Sequence, residues 1–93
     1  MGSPENLLRS VAGNIAQRVR GEKPPSTALG SVVALIDNDE VELALDELVR
    51  VIGYFRIPVL RAEYERLLVA AERLDSVGSL VEAGVGRLVV GGL

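Results

Sequence analysis

The stretch with the highest density of potential ligand groups is DNDEVELALDEL at residues 37–48, which holds six carboxylates and no basic residue. Calcium loops place oxygen ligands at positions 1, 3 and 5, glycine at position 6 and a bidentate Glu at position 12. Counted from Asp37, position 5 is Val41, position 6 is Glu42 and position 12 is Leu48. The calcium template therefore fails, and the stretch is interpreted as a helix start that holds no metal.

Other arrangements that could support catalysis are also incomplete. GVGRLVVGG at residues 84–92 has the wrong glycine spacing for a phosphate loop, and no predicted strand precedes it. Asp46 and Glu47 are adjacent carboxylates, but neighbouring residues on a helix point about 100° apart. The chain has no Cys and no His, which excludes a thiol nucleophile, an imidazole base and the usual zinc site. We therefore expect a protein that is not an enzyme and needs no cofactor.

Apolar residues recur at helical spacing along nearly the whole chain of 93 residues. Gly21 and the Pro24-Pro25 pair are interpreted as a linker after the first helix, and Ser26 or Thr27 as the cap of the second. Asp37, Asn38 and Asp39 are interpreted as a turn that caps the third. The predicted helices cover residues 5–20, 27–36, 39–56, 59–75 and 77–90.

This pattern predicts an all-α fold: one domain over residues 1–93, built as a compact bundle of four to five short helices. The first four residues are expected to be a disordered or appended start. Leu60 of the fourth helix and Val81 of the fifth are expected to face inward. Five further residues are expected to be nearly fully buried: Leu45, Leu48, Ile52, Leu67 and Leu68.

The charge distribution narrows the choice of partners. The net charge is −3, and six of the 13 acids lie within residues 37–47. Nucleic-acid binding needs clustered Lys and Arg, so we expect no nucleic acid as partner. No apolar run approaches the roughly 20 residues of a membrane span, and the start MGSPENLL lacks the pattern of a signal peptide. The expected location is the cytoplasm, with no membrane contact.

The third predicted helix carries the most informative pattern. Its core face centres on Val41, Leu45, Leu48 and Ile52, and its opposite face mixes charged residues with Leu43 and Tyr54. Two interpretations remain open: another helix covers these two side chains, or they anchor a binding surface with a charged rim. The candidate partner-binding residues are Asp39, Glu42, Leu43, Asp46, Glu47, Arg50 and Tyr54.

Residues 39–75 resemble the MafI-like family of bacterial immunity proteins. The resemblance lies in an acidic residue before an ALxxL helix, an IP loop, a helix bearing an aromatic residue, and a closing LD pair. The matching residues are Glu42, Leu43, Ala44, Leu45, Leu48, Ile57-Pro58, Tyr64 and Leu74-Asp75. One departure is Leu60, where the family often has a capping Ser or Thr, so the start of the fourth helix must find another partner for its free N–H groups.

The resemblance implies an immunity protein that binds and neutralises the toxic domain of a cognate bacterial toxin. Such toxins are often nucleases with basic clefts, and an acidic helix suits such a cleft because complementary charge speeds association. The alternative is a helical adaptor or regulatory module whose Leu43 and Tyr54 pair with a second copy as a homodimer. The sequence leaves the identity of the toxin open.

Overall fold

The computed structural model, which describes residues 3–90, contains five α-helices. They are α1 (Pro4–Arg18), α2 (Lys23–Asp37), α3 (Val41–Phe55), α4 (Arg61–Arg73) and α5 (Val77–Glu82). A 3-10 turn covers Val85–Leu88, and the two-residue strands β1 (Val59–Leu60) and β2 (Val89–Val90) pair in parallel. The predicted all-α bundle is confirmed. Within residues 3–90 no helix is both long and apolar enough to cross a membrane.

Helices α1 and α2 begin earlier than the spacing of their apolar residues predicts. The Asn6 N–H donates to Ser3 Oγ at 3.2 Å, so Ser3 caps α1 and is not part of a disordered start; residues 1 and 2 lie outside the described part. The predicted linker at Pro24-Pro25 is wrong, because both prolines lie in the first turn of α2, where a missing N–H costs nothing. Ser26 does not cap α2; its hydroxyl donates to the Val19 carbonyl at 3.0 Å.

Helices α2, α3 and α4 end in the same way, with a residue other than glycine in the left-handed region. These residues are Asp39 (φ 66°), Arg56 (φ 52°) and Asp75 (φ 57°). In each case the next N–H donates to the carbonyl five residues earlier, as Ile57 does to Ile52 at 3.0 Å. Asp39 therefore closes α2 and does not cap α3, which was expected to begin with it and begins at Val41.

The C-terminal third differs most from expectation. Residues 59 and 60 are not helical; Val59 pairs with Val89 and Leu60 with Val90. The predicted helix over residues 77–90 stops at Glu82, because Gly84 adopts φ 72° and turns the chain back. The inward placement of Leu60 and Val81 is consequently wrong, since both side chains are exposed.

The core lies around α3, and its packing follows the predicted face. Leu45, Leu48, Ile52 and Leu67 are fully buried, as expected. Leu68 is only half-buried, so that prediction is wrong, and Ala70 and Ala71 take the inward positions on α4 instead. Small alanines at this contact let α4 approach its neighbours closely.

A buried ion pair joins α1 to α4. Glu63 is fully buried, and its two carboxylate oxygens accept from the Arg18 guanidinium at 2.6 and 2.7 Å. Arg18 also donates to the Pro58 carbonyl at 2.8 Å, and Glu63 accepts from the Leu60 N–H at 3.0 Å. Glu63 thus supplies the partner that Leu60 cannot provide for itself at the start of α4.

The protonation of Glu63 reflects this environment. Burial alone raises the pKa of Glu63. The hydrogen bonds from Arg18 and Leu60, with the positive charges of Arg18 and Arg66, outweigh burial and leave the pKa below its usual value. The same pairing raises the pKa of Arg18. The pair is therefore fully charged in the folded protein at neutral pH.

Truncating Leu48 to Ala should lower the free energy of unfolding by about 2–5 kcal/mol, because it leaves a cavity in the core. Leu43→Ala, on the same helix but exposed, should cost less than about 1 kcal/mol. Urea unfolding of both variants measures the difference. Equal losses would contradict the assignment of the two faces of α3.

The lowered pKa of Glu63 predicts loss of stability in acid. Below the ordinary carboxyl pKa of 4.5, the unfolded chain takes up the proton before the folded chain does, so the free energy of unfolding falls as pH falls. Above that value the contribution is fully present. Glu63→Gln should flatten this acid dependence, whereas Glu65→Gln, at an exposed position on α4, should keep it. Unfolding measured between pH 3 and 7 tests both variants.

Candidate functional site

The outer face of α3, defined by Leu43, Glu47, Arg50 and Tyr54, points away from the core. At 100° per residue these four positions lie within an arc of about 60°. Leu43 is 53% exposed and Tyr54 is 80% exposed. No element within residues 3–90 covers either side chain, which removes the interpretation that another helix of the described chain buries them.

Only some of the acids around this face are free to meet a partner. Asp39 and Glu42 are exposed, and within the described part of the chain neither makes a salt bridge or a side-chain hydrogen bond. Glu47 is half-buried, and its carboxylate lies 3.5 Å from Arg50. Asp37, at the end of α2, is paired with Arg9 at 2.8 Å. Among the predicted binding residues, the exposed and unpaired acids are therefore those at the N-terminal end of α3, Asp39 and Glu42.

Asp46 has a structural role that the sequence did not reveal. It was expected to point to water with Glu47, but it is half-buried and accepts a hydrogen bond from Ser79 Oγ at 2.7 Å. This bond joins α3 to α5. Replacing Asp46 would therefore disturb the packing of α5 as well as the surface charge.

A groove runs between α3 and α5 beside the outer face of α3. Its cavity has a volume of about 500 Å³, and its lining includes Asp46, Arg50, Gly53, Tyr54, Ser79 and Glu82. The structure thus brings together three of the predicted binding residues, Asp46, Arg50 and Tyr54. Leu43 and Glu47 continue the same surface along α3, with Glu42 on its flank, while Asp39 lies in the turn before the helix.

Gly53 allows the two helices to form this groove. A Cβ placed on Gly53 would lie 2.7 Å from the carbonyl oxygen of Ala83, closer than real Cβ atoms approach. Any larger residue at position 53 must push the end of α5 away from α3. Glycine is thus required by the approach of the Ala83 backbone.

The Tyr54 ring is held by its neighbour. Its centroid lies 4.9 Å from that of Phe55, at an angle of 86°, which is the favourable edge-to-face arrangement. Phe55 packs against the core and is half-buried. The exposed ring of Tyr54 therefore has one aromatic neighbour within the chain and otherwise faces solvent.

A second open cavity, of about 570 Å³, lies between α1 and the start of α4, and its lining includes Asn14, Gln17, Arg18, Leu60 and Glu63. The charged side chains of its lining are already paired, Arg18 with Glu63 and Arg9 with Asp37. The groove beside α3 is therefore the better candidate for binding, since it offers a free aromatic side chain and unpaired acids near by.

The α3 surface combines charged and apolar side chains. It offers an aromatic ring, an aliphatic side chain, carboxylates and one guanidinium. The Ser79 hydroxyl in the groove donates to Asp46, and this bond joins α5 to α3. Within residues 3–90, no three His, Cys, Asp or Glu side chains are grouped so as to hold a metal ion.

The residues that sequence reasoning missed are those that act through distant partners. Glu63 carried a local signal, because a Glu three residues after a helix start is typical of an N-terminal cap. Its pairing with Arg18 had no signal, since the two residues are 45 positions apart. Ser79 and Gly53 likewise gain their roles only from the position of α5.

Comparisons with protein families, with curated proteins and with solved structures found no match to this chain or its fold. The interpretation of the α3 surface therefore depends on its own geometry and on the sequence resemblance described above.

Gly53→Ala should destabilise the protein by about 1–3 kcal/mol, because the new methyl group meets the Ala83 carbonyl. Gly30→Ala is the matched control on α2, where an added Cβ meets nothing within 4 Å. It should stabilise the protein by about 0.5–1 kcal/mol through better helix propensity. Urea unfolding should give opposite signs; a gain at both positions would contradict the close approach of α5 to α3.

Proposed function

We propose that the chain is an immunity protein that binds the toxic domain of a cognate bacterial toxin in the cytoplasm and blocks it without chemistry. The single observation that carries this proposal is the uncovered pair Leu43 and Tyr54 on an acidic helix. Exposed apolar and aromatic side chains with a charged surround are typical of protein-binding surfaces.

The distribution of charge indicates the kind of partner. Asp39 and Glu42 are exposed and free of ion pairs within the described chain, so they retain their field in solution. A basic surface, such as the cleft of a nuclease, would be attracted over about 8–10 Å at physiological ionic strength. Leu43 and Tyr54 would then supply the contact that slows dissociation.

The geometry divides the predicted binding residues into two groups. Asp39, Glu42, Leu43 and Tyr54 are available for a partner as they stand. Asp46, Glu47 and Arg50 are already engaged, because Asp46 accepts from Ser79 and Glu47 pairs with Arg50, and a partner must compete for them. The first group should therefore dominate the binding energetics.

The direct test is co-expression of the chain with toxic domains encoded by adjacent genes. The expected result is rescue of cell growth and a stable complex in gel filtration. Absence of both protection and binding for every such domain would overturn the proposal.

The charged and apolar contributions can be measured separately on the complex. The double variant Asp39→Asn with Glu42→Lys keeps a residue that tolerates the left-handed turn at position 39. It should slow association about tenfold or more and reduce its dependence on salt. Tyr54→Ala should instead speed dissociation and cost about 2 kcal/mol or more. Glu65→Gln with Glu72→Lys makes the same charge change on exposed positions of α4 and is the matched control. Equal association rates for both double variants would mean that the partner binds elsewhere.

A further inference from the structure

The outer face of α3 has a symmetric order of side chains along the helix. Leu43 and Tyr54 are at its ends, and Glu47 and Arg50 lie between them, so the spacings are four, three and four residues. The midpoint between Leu43 and Tyr54 coincides with the midpoint between Glu47 and Arg50. At a rise of 1.5 Å per residue, the ends lie about 16 Å apart.

This order fits a second copy of the same helix running in the opposite direction. A two-fold axis through the common midpoint brings Leu43 to the level of Tyr54 of the second copy, and Glu47 to the level of its Arg50. Every contact then occurs twice, as a two-fold interface requires. An aliphatic side chain meets an aromatic ring at each end, and opposite charges meet in the middle.

The charge distribution also selects the antiparallel direction. The free acids Asp39 and Glu42 lie at the N-terminal end of α3. In the antiparallel pair these ends are at opposite extremes of the contact, whereas a parallel pair would set them against each other. Within the chain, the Glu47–Arg50 contact is loose at 3.5 Å, and the Arg50 side chain is 73% exposed, so it is accessible to a second copy.

From this geometry we infer that the chain forms a two-fold symmetric homodimer through the outer face of α3, with Glu47 of each copy paired to Arg50 of the other. The contact is one helix face about 16 Å long, which is smaller than the interfaces of permanent dimers. The dimer is therefore weak, with dissociation in the micromolar range or above. The dimer covers Leu43 and Tyr54, so the chain cannot form the dimer and bind another protein through this face at the same time. Only this mutual exclusion rests on the proposed function; the dimer itself does not.

The test uses the purified full chain alone, with charge reversals that complement each other. Sedimentation equilibrium up to millimolar concentration should show a monomer–dimer equilibrium for the parent chain. Glu47→Arg and Arg50→Glu should each weaken self-association about tenfold or more, because like charges then meet at the centre. An equimolar mixture of the two variants should form a one-to-one dimer, and the double variant should dimerise like the parent.

Far-UV circular dichroism of each variant verifies that the helices are intact. Glu65→Arg is the matched control, because position 65 on α4 is exposed and away from the outer face of α3. A parent chain that stays monomeric at millimolar concentration would overturn the inference. The inference would also be overturned if the parent chain dimerises but the mixture of Glu47→Arg and Arg50→Glu does not. In that case Glu47 of one copy would not face Arg50 of the other. Because no toxin is present, failure here leaves the proposed function untouched, and failure of toxin binding leaves the dimer untouched.

Discussion

The fold depends on one buried carboxylate. Glu63 has no exposed surface, and a buried charge without partners costs several kcal/mol. Here it has the Arg18 guanidinium and the Leu60 N–H as donors, while Arg18 also binds the Pro58 carbonyl. The end of α1 is thereby joined to the chain that leaves α3 and to the start of α4, although Arg18 and Glu63 are 45 positions apart. Because the total stability of a domain is only about 5–15 kcal/mol, loss of this pair would remove a large share of it.

The same cluster determines which side of α3 remains open. Pro58 lies three residues after the end of α3, so its contact with Arg18 fixes where the chain goes next. Val59 and Leu60 then run beside Val89 and Val90, and α4 packs against α1. Helix α5 reaches α3 through Ser79 and Ala83 on one flank only. Leu43 and Tyr54 are left uncovered because the connections lead the chain away from them.

A structural feature could be predicted from the sequence where the interaction behind it is local, and could not where that interaction joins residues distant in sequence. The buried face of α3 was predicted correctly because helical periodicity is a local property of the sequence. The spacing of Leu45, Leu48 and Ile52 shows this periodicity. The ends of α2, α3 and α4 were predicted to within two residues, although these helices close at Asp39, Arg56 and Asp75, where no glycine marks the turn. The end of α5 was not, because the left-handed turn at Gly84 stops the helix at Glu82. Val59 looks helical by its spacing, yet it is extended because Val89 pairs with it from 30 residues away. On the surface, the wheel placed Leu43 and Tyr54 opposite the core but left open whether another helix covers them, because that depends on the path of the whole chain. The engagement of Asp46 likewise depends on Ser79 of another helix.

A face that binds both its own copy and another protein need not lose affinity for the latter. Self-association reduces the apparent affinity for a partner only in proportion to the share of chain held as dimer. If the dimer dissociates in the micromolar range, a chain present well below that concentration is almost entirely monomeric, and Leu43 and Tyr54 are free. At higher concentration the dimer covers the two apolar side chains, which would otherwise be open to unspecific contacts. A partner bound at nanomolar affinity gains about 4 kcal/mol over a micromolar dimer, so it displaces the second copy without any change of fold.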